Sequence, residues 1–170
     1  IPDIRPGDDV AGCIVNSLLA ADFSITTEDI LVIAHKIISK AEGQTVNLTD
    51  ITPSDQAKLL GKRTGKDPRK VEMILQESQR VLKVRDATDS SEGLIITRHR
   101  LGYVSASAAI DESNVGNSGD LLLLPANPDR SAQHLRERLL ELTGSMPGIV
   151  ISDTFGRPWR LGQVNVAIGL

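Results

Sequence analysis

The chain has 170 residues, 40% of them hydrophobic and 24% charged, enough to bury a core as one domain or as two small ones. Aromatic residues make up only 2%, so the core is built from Val, Ile, Leu and Ala, which argues against an aromatic-stacking nucleic-acid binder. The net charge of −3, with both signs interspersed, leaves no polyanion-binding footprint. Cys13 is the sole cysteine, which rules out an internal disulfide framework and a cysteine-based zinc cluster; its helical spacing predicts a buried core residue. No apolar run reaches the roughly 20 residues of a membrane span. With no signal peptide either, a soluble cytoplasmic protein is expected. The start at Ile1 without Met, and the stop inside the apolar run at residues 166–170, read as two cut ends.

In chain order, Pro6-Gly7-Asp8-Asp9 predicts a turn with acidic residues at a helix N-terminus. Val10, Ile14, Val15, Leu18 and Leu19 then recur at helical spacing. Residues 30–34 read as a buried strand and residues 45–48 as a weaker one. Thr52-Pro53-Ser54-Asp55 opens a helix ending near Gly61 or Gly65. Asp67-Pro68 is an N-cap with proline at the first helical position, and the helix it starts carries Val71, Ile74, Leu75 and Val81 inward. Residues 86–93 are polar and glycine-punctuated, a loop and a candidate sub-boundary. Residues 94–97 and 103–104 predict strands either side of a turn near Gly102, and residues 120–125 another buried strand. Asn127-Pro128-Asp129 caps a long helix through Leu142, ended by Gly144. A buried strand at 149–152 stops at Asp153, and residues 163–168 resume strand character. Helices and strands mix without a regular βαβ rhythm, so the predicted class is α+β, with mixed sheets and packed helices.

Three segments interrupt this pattern. Residues 35–43 follow a strand with Lys36, Ser39 and Lys40, able to hold a polyphosphate. They lack the glycine-rich turn of a Walker A loop, and taken alone they read as a surface loop. Residues 110–115 place Asp111 and Asn114 three apart past a strand, which suits either a hard cation with a ligand hydroxyl or an Asx turn with a helix cap. Residues 151–160 deliver Asp153 and Thr154 to a strand's mouth, followed by Arg157, Trp159 and Arg160. Asp and Thr can supply oxygen ligands to magnesium or manganese, and arginines suit phosphate or carboxylate; a structural loop with an Arg–Asp pair is the other reading. The histidines show no HxH or HExxH spacing, so no zinc site is expected. His134 lies on a charged helix and reads as solvated, and His99 lies at a strand end.

Taken together, the 1–4 stretch with its Pro-Gly-Asp-Asp turn, Ile38-Ser39-Lys40-Ala41-Glu42-Gly43, Asp111-Glu112-Ser113-Asn114-Val115 and residues 150–160 resemble the F-420-0:gamma-glutamyl ligase family over nearly the whole chain. The resemblance implies the N-terminal and central portion of that domain, without its C-terminal segment, in an intertwined homodimer. It implies Asp111, Asp153 and Thr154 as ligands of Mg2+ or Mn2+. It places Ile1, Pro2, Asp3, Ile4, His35, Lys36, Lys40 and Asn114 against GTP as co-substrate, with K+ as a further ion. The implied reaction phosphorylates the lactyl carboxylate of a deazaflavin coenzyme precursor, and L-glutamate then displaces phosphate; neither nucleic acid nor membrane is a partner. Ser107-Ala108-Ala109 departs from the family's usual Asn-Ala-Gly. A non-catalytic nucleotide- or metal-binding fragment, and a ligase with another acceptor, are the competing readings.

Overall fold

The structure, a computed structural model, describes residues 1–112, 119–155 and 164–170, the Phe155 side chain excepted. In order the elements are α1 (Val10–Leu19), β1 (Ile30–Ala34), α2 (His35–Ala41), β2 (Thr45–Asn47), α3 (Asp55–Thr64), α4 (Pro68–Gln76), β3 (Ser78–Arg85), β4 (Leu94–His99), β5 (Val104–Ala106), β6 (Asp120–Leu122), α5 (Pro128–Thr143), β7 (Gly148–Phe155) and β8 (Val164–Gly169). They form sheets of order β1-β7-β8, β2-β6 and β3-β4-β5, an α+β chain as predicted. The helix starts follow cap chemistry: Asp9, Ser54, Asp67 and Asn127 each accept a hydrogen bond from a first-turn backbone N–H. Gly65 and Gly144 close α3 and α5 in the left-handed conformation.

The chain divides into two compact units: Ile1–Gln44, Leu124–Thr154 and Asn165–Leu170 form the first, and Thr45–Leu123 with Phe155 and Val164 the second. Residues 86–93 fall within the second. In the first unit α1 packs on α5, and β1 runs parallel to β7. β1 is not the buried strand expected. Among the described residues it pairs in its sheet with β7 alone, and Ile30 and Val32 are 67% and 65% exposed while Ile33 is buried. The alternation is that of an edge strand with one covered face, which an unbroken apolar run conceals. β7 continues to Phe155, two residues past the predicted stop at Asp153. Cys13 is half-buried rather than in the core, because the inward stripe of α1 is Val10, Ala11 and Ile14.

In the second unit Ala57 and Leu60 of α3, Val71 and Ile74 of α4, Ile95 and Ala108 form one cluster. Val81 belongs to β3, since α4 ends at Gln76. β6 stops at Leu122, and Leu123 to Pro125 continue as buried chain beyond its end. His99 is fully buried: the Leu101 N–H donates to its Nδ1 at 3.0 Å, and Nε2 lies 3.3 Å from Glu77 Oε2. Burial pushes the Glu77 carboxyl up, but the hydrogen bonds and charges of His99 and Arg100 outweigh it and hold the group below its ordinary value.

Before Asp111, Ser107, Ala108 and Ala109 take φ of 50°, 53° and 55°. This is a left-handed turn of three non-glycine residues, in a region that costs L-residues roughly 1–2 kcal/mol each. Burial of Ala108 in the main cluster holds it there. The Asn and Gly that the family resemblance sets at the first and third positions are the residues that tolerate that region. Ala109→Gly is therefore expected to raise stability by about 1 kcal/mol, read as a higher urea midpoint at constant slope. A lowered midpoint would show that the turn is unstrained.

Candidate functional site

Parallel pairing brings the carboxyl ends of β1 and β7 level. Ala34 lies opposite Ser152, so the next residues, His35 at the start of α2 and Asp153 within β7, lie side by side. The His35 side chain is 2% exposed, with Nε2 3.3 Å from Asp153 Oδ1 and Nδ1 3.2 Å from Ser39 Oγ one helical turn later. Asp153 Oδ1 also accepts the Thr154 N–H at 2.7 Å. The protein thus occupies Oδ1, and among the described residues nothing hydrogen-bonds Oδ2. The Thr154 hydroxyl donates to Asn165 Oδ1 on β8 at 2.6 Å, which leaves the lone pairs of Oγ1 for another partner. Adjacent strand residues project to opposite faces, and here Asp153 turns to His35 while Thr154 turns to Asn165.

The segment 1–4 is tied to α2. Lys40 Nζ donates to Asp3 Oδ1 at 2.9 Å, and the Gly7 N–H donates to the Ala41 carbonyl at 2.8 Å. The Lys40 hydrogen bond and charge hold the Asp3 carboxyl below the usual carboxylate range. Ile1, Pro2 and Asp3 are exposed, Ile4 is buried, and Lys36 is half-buried on the first turn of α2. Residues 35–41 are therefore a helix, not the surface loop that the segment suggests when read alone. The Ser39 hydroxyl, expected as a phosphate donor, is wholly buried and faces His35.

Asp111 belongs to the second unit, where its backbone exchanges two hydrogen bonds with Leu122, at 3.0 and 2.9 Å. Asn114 and the 156–163 segment, with Arg157, Trp159 and Arg160, lie outside the described residues. Asn165 escaped notice in the sequence, although it is the polar residue in the apolar run of β8. Among the described residues no three His, Cys, Asp or Glu side chains form a ready-made metal cage. What the end of β7 offers is, on one face, an Asp153 oxygen that no described residue hydrogen-bonds and, on the other, the Thr154 hydroxyl. The carboxylate suits Mg2+ or Mn2+, which take one or two carboxylates and complete their shells with water and phosphate. No helix of the described residues is long and apolar enough to cross a membrane.

By themselves these contacts define a class: an α+β chain with a polar, carboxylate- and lysine-bearing site where parallel strands end. A family model described as F420-0:Gamma-glutamyl ligase matches residues 1–170, and the chain belongs to that family. It is similar to a "Coenzyme F420:L-glutamate ligase" of Methanopyrus kandleri, 48% identical over 166 residues that cover 98% of this chain and 61% of that protein. Proteins of the same description from Methanothermobacter thermautotrophicus and Archaeoglobus fulgidus are 42% and 39% identical over 170 residues, covering all of this chain and 65% and 63% of theirs. The chain therefore spans between three-fifths and two-thirds of the length of these relatives.

Proposed function

We propose that the protein to which this chain belongs ligates L-glutamate to the deazaflavin precursor F420-0, using GTP and a divalent metal. The observation that carries this reading is the polar strand-end site of the first unit inside a chain of this family. There Lys40 and Asp3, and His35 and Asp153, are already paired. In the reaction the precursor's carboxylate oxygen attacks the γ-phosphorus of GTP and releases GDP. The amine of glutamate then attacks the resulting acyl phosphate, forms the amide, expels phosphate and loses a proton. Lys36 and Lys40 supply point charges to the phosphates, with Ile1 to Ile4 and Asn114 as the other nucleotide contacts. Asp111, Asp153 and Thr154 are the proposed metal ligands. Divalent metal bound by these ligands would neutralise charge on the transferring phosphoryl group. The same reading makes the protein a cytoplasmic homodimer, with K+ as a further ion.

The test is an assay of the full-length protein with GTP, Mn2+, glutamate and F420-0, followed by mass spectrometry. A product heavier by one or more glutamyl units supports the reading; GTP consumed only with a different acceptor, or not at all, contradicts it. Lys40→Ala gives a second expectation. Loss of a phosphate-paired charge costs about 1.5–3 kcal/mol of binding, a tenfold to hundredfold weaker GTP affinity. Its pair with the exposed Asp3 adds little to stability. Unchanged affinity with a lowered melting temperature would make Lys40 structural.

A further inference from the structure

Family resemblance sets His35 against the nucleotide, yet its side chain points elsewhere. The ring is 2% exposed, and both nitrogens face protein groups: Ser39 Oγ at 3.2 Å and Asp153 Oδ1 at 3.3 Å. A carboxylate only accepts, so Nε2 is the nitrogen that can donate to Asp153, while Nδ1 and the buried Ser39 hydroxyl face each other on the ring's other side. The Nε2 contact is close enough to attract but off-line for a well-formed hydrogen bond.

We propose that His35 is a positioning residue for Asp153: with Ser39 fixing its ring, it draws Oδ1 inward and leaves Oδ2 as the oxygen that meets the cation. Three features of the structure converge on this. The parallel register fixes where the two residues emerge, Ala34 beside Ser152. The i, i+4 spacing on α2 sets Ser39 under the ring. Oδ1 is held from a second side by the Thr154 N–H, while among the described residues nothing hydrogen-bonds Oδ2. Partners that orient a ligating carboxylate typically account for 10–100-fold in metal affinity. The inference rests on the proposed role of Asp153 in metal binding and adds a cause for its orientation.

Mn2+ binding to the full-length protein, followed by electron paramagnetic resonance without nucleotide or acceptor, separates the two claims. Wild type, Asp153→Asn, His35→Phe and His35→Gln are compared, with melting temperatures as the folding control. Phe keeps the volume and loses the donor, whereas Gln carries an N–H near the position of Nε2. Mn2+ affinity is expected to fall about 10–100-fold in His35→Phe and to recover most of that loss in His35→Gln. Wild-type affinity in His35→Phe, beside a loss in Asp153→Asn, would overturn the positioning role alone. Equal losses in Phe and Gln, tracking lowered melting temperatures, would overturn it in favour of packing. No binding by wild type, or full binding by Asp153→Asn, would remove the metal role of Asp153 and the inference with it.

Discussion

Asp153→Asn in the full-length protein is expected to lower ligation at least about a hundredfold while moving the melting temperature by only a few degrees. The amide is nearly isosteric, and its oxygen can still accept the Thr154 N–H that Oδ1 receives now. What disappears is the negative charge and the outward oxygen that suits a hard cation. Thr154→Ala should cost less, because strand alternation turns that hydroxyl to Asn165 and away from the Asp153 carboxylate. Initial rates at saturating GTP over a range of Mn2+ concentrations give both comparisons. An Asp153→Asn rate within about threefold of wild type would exclude the carboxylate from the reaction's metal chemistry, since even an orienting partner accounts for tenfold.

Gly93→Ala has the largest expected effect on stability. An added Cβ there would lie 2.4 Å from the Arg85 carbonyl oxygen and 2.8 Å from Thr64 Cα, both backbone atoms that cannot swing aside. The Gly93 N–H also donates to the Thr64 carbonyl at 2.8 Å, joining the end of α3 to the start of β4. Overpacking of this kind costs about 3 kcal/mol, or roughly 6–12 °C of melting temperature for a chain of this length. Thermal melts followed by circular dichroism decide it. An unchanged midpoint would mean that the contact between the α3 end and the β3–β4 connection yields freely.

Much of the fold could be read ahead because local chemistry states it. Asp9, Asp67-Pro68 and Asn127-Pro128 announce helix starts, and Gly144 a helix end, whatever the chain packs against. What escaped depends on partners distant in sequence. Ile30 and Val32 look like core residues until one face of β1 is seen to be exposed. Residues 35–41 are polar enough to suggest a loop, and only the burial of His35, Ile38 and Ser39 explains a helix there. Gly93 reads as punctuation, although Arg85 and Thr64 leave it no room for a side chain. The candidate site divides in the same way. Its residue types were legible, since hard cations call for oxygen ligands such as Asp and Thr and phosphates for cations such as Lys. The contact between His35 and Asp153 was not, because it follows from the parallel register that sets Ala34 opposite Ser152, 118 positions further on.

In the proposed reaction the acceptor's carboxylate is activated by phosphorylation and then joined to glutamate. Precursor labelled with 18O in both lactyl carboxylate oxygens tests it directly, with full-length protein, GTP, Mn2+ and L-glutamate. Transfer of the γ-phosphoryl group to a labelled oxygen, then its expulsion by the amine, leaves one 18O in each released phosphate and one in the new amide. Mass spectrometry of phosphate and singly glutamylated product should therefore find one label in each for the first addition. Singly glutamylated product accompanied only by unlabelled phosphate, or phosphate released with no product, would contradict activation by phosphorylation.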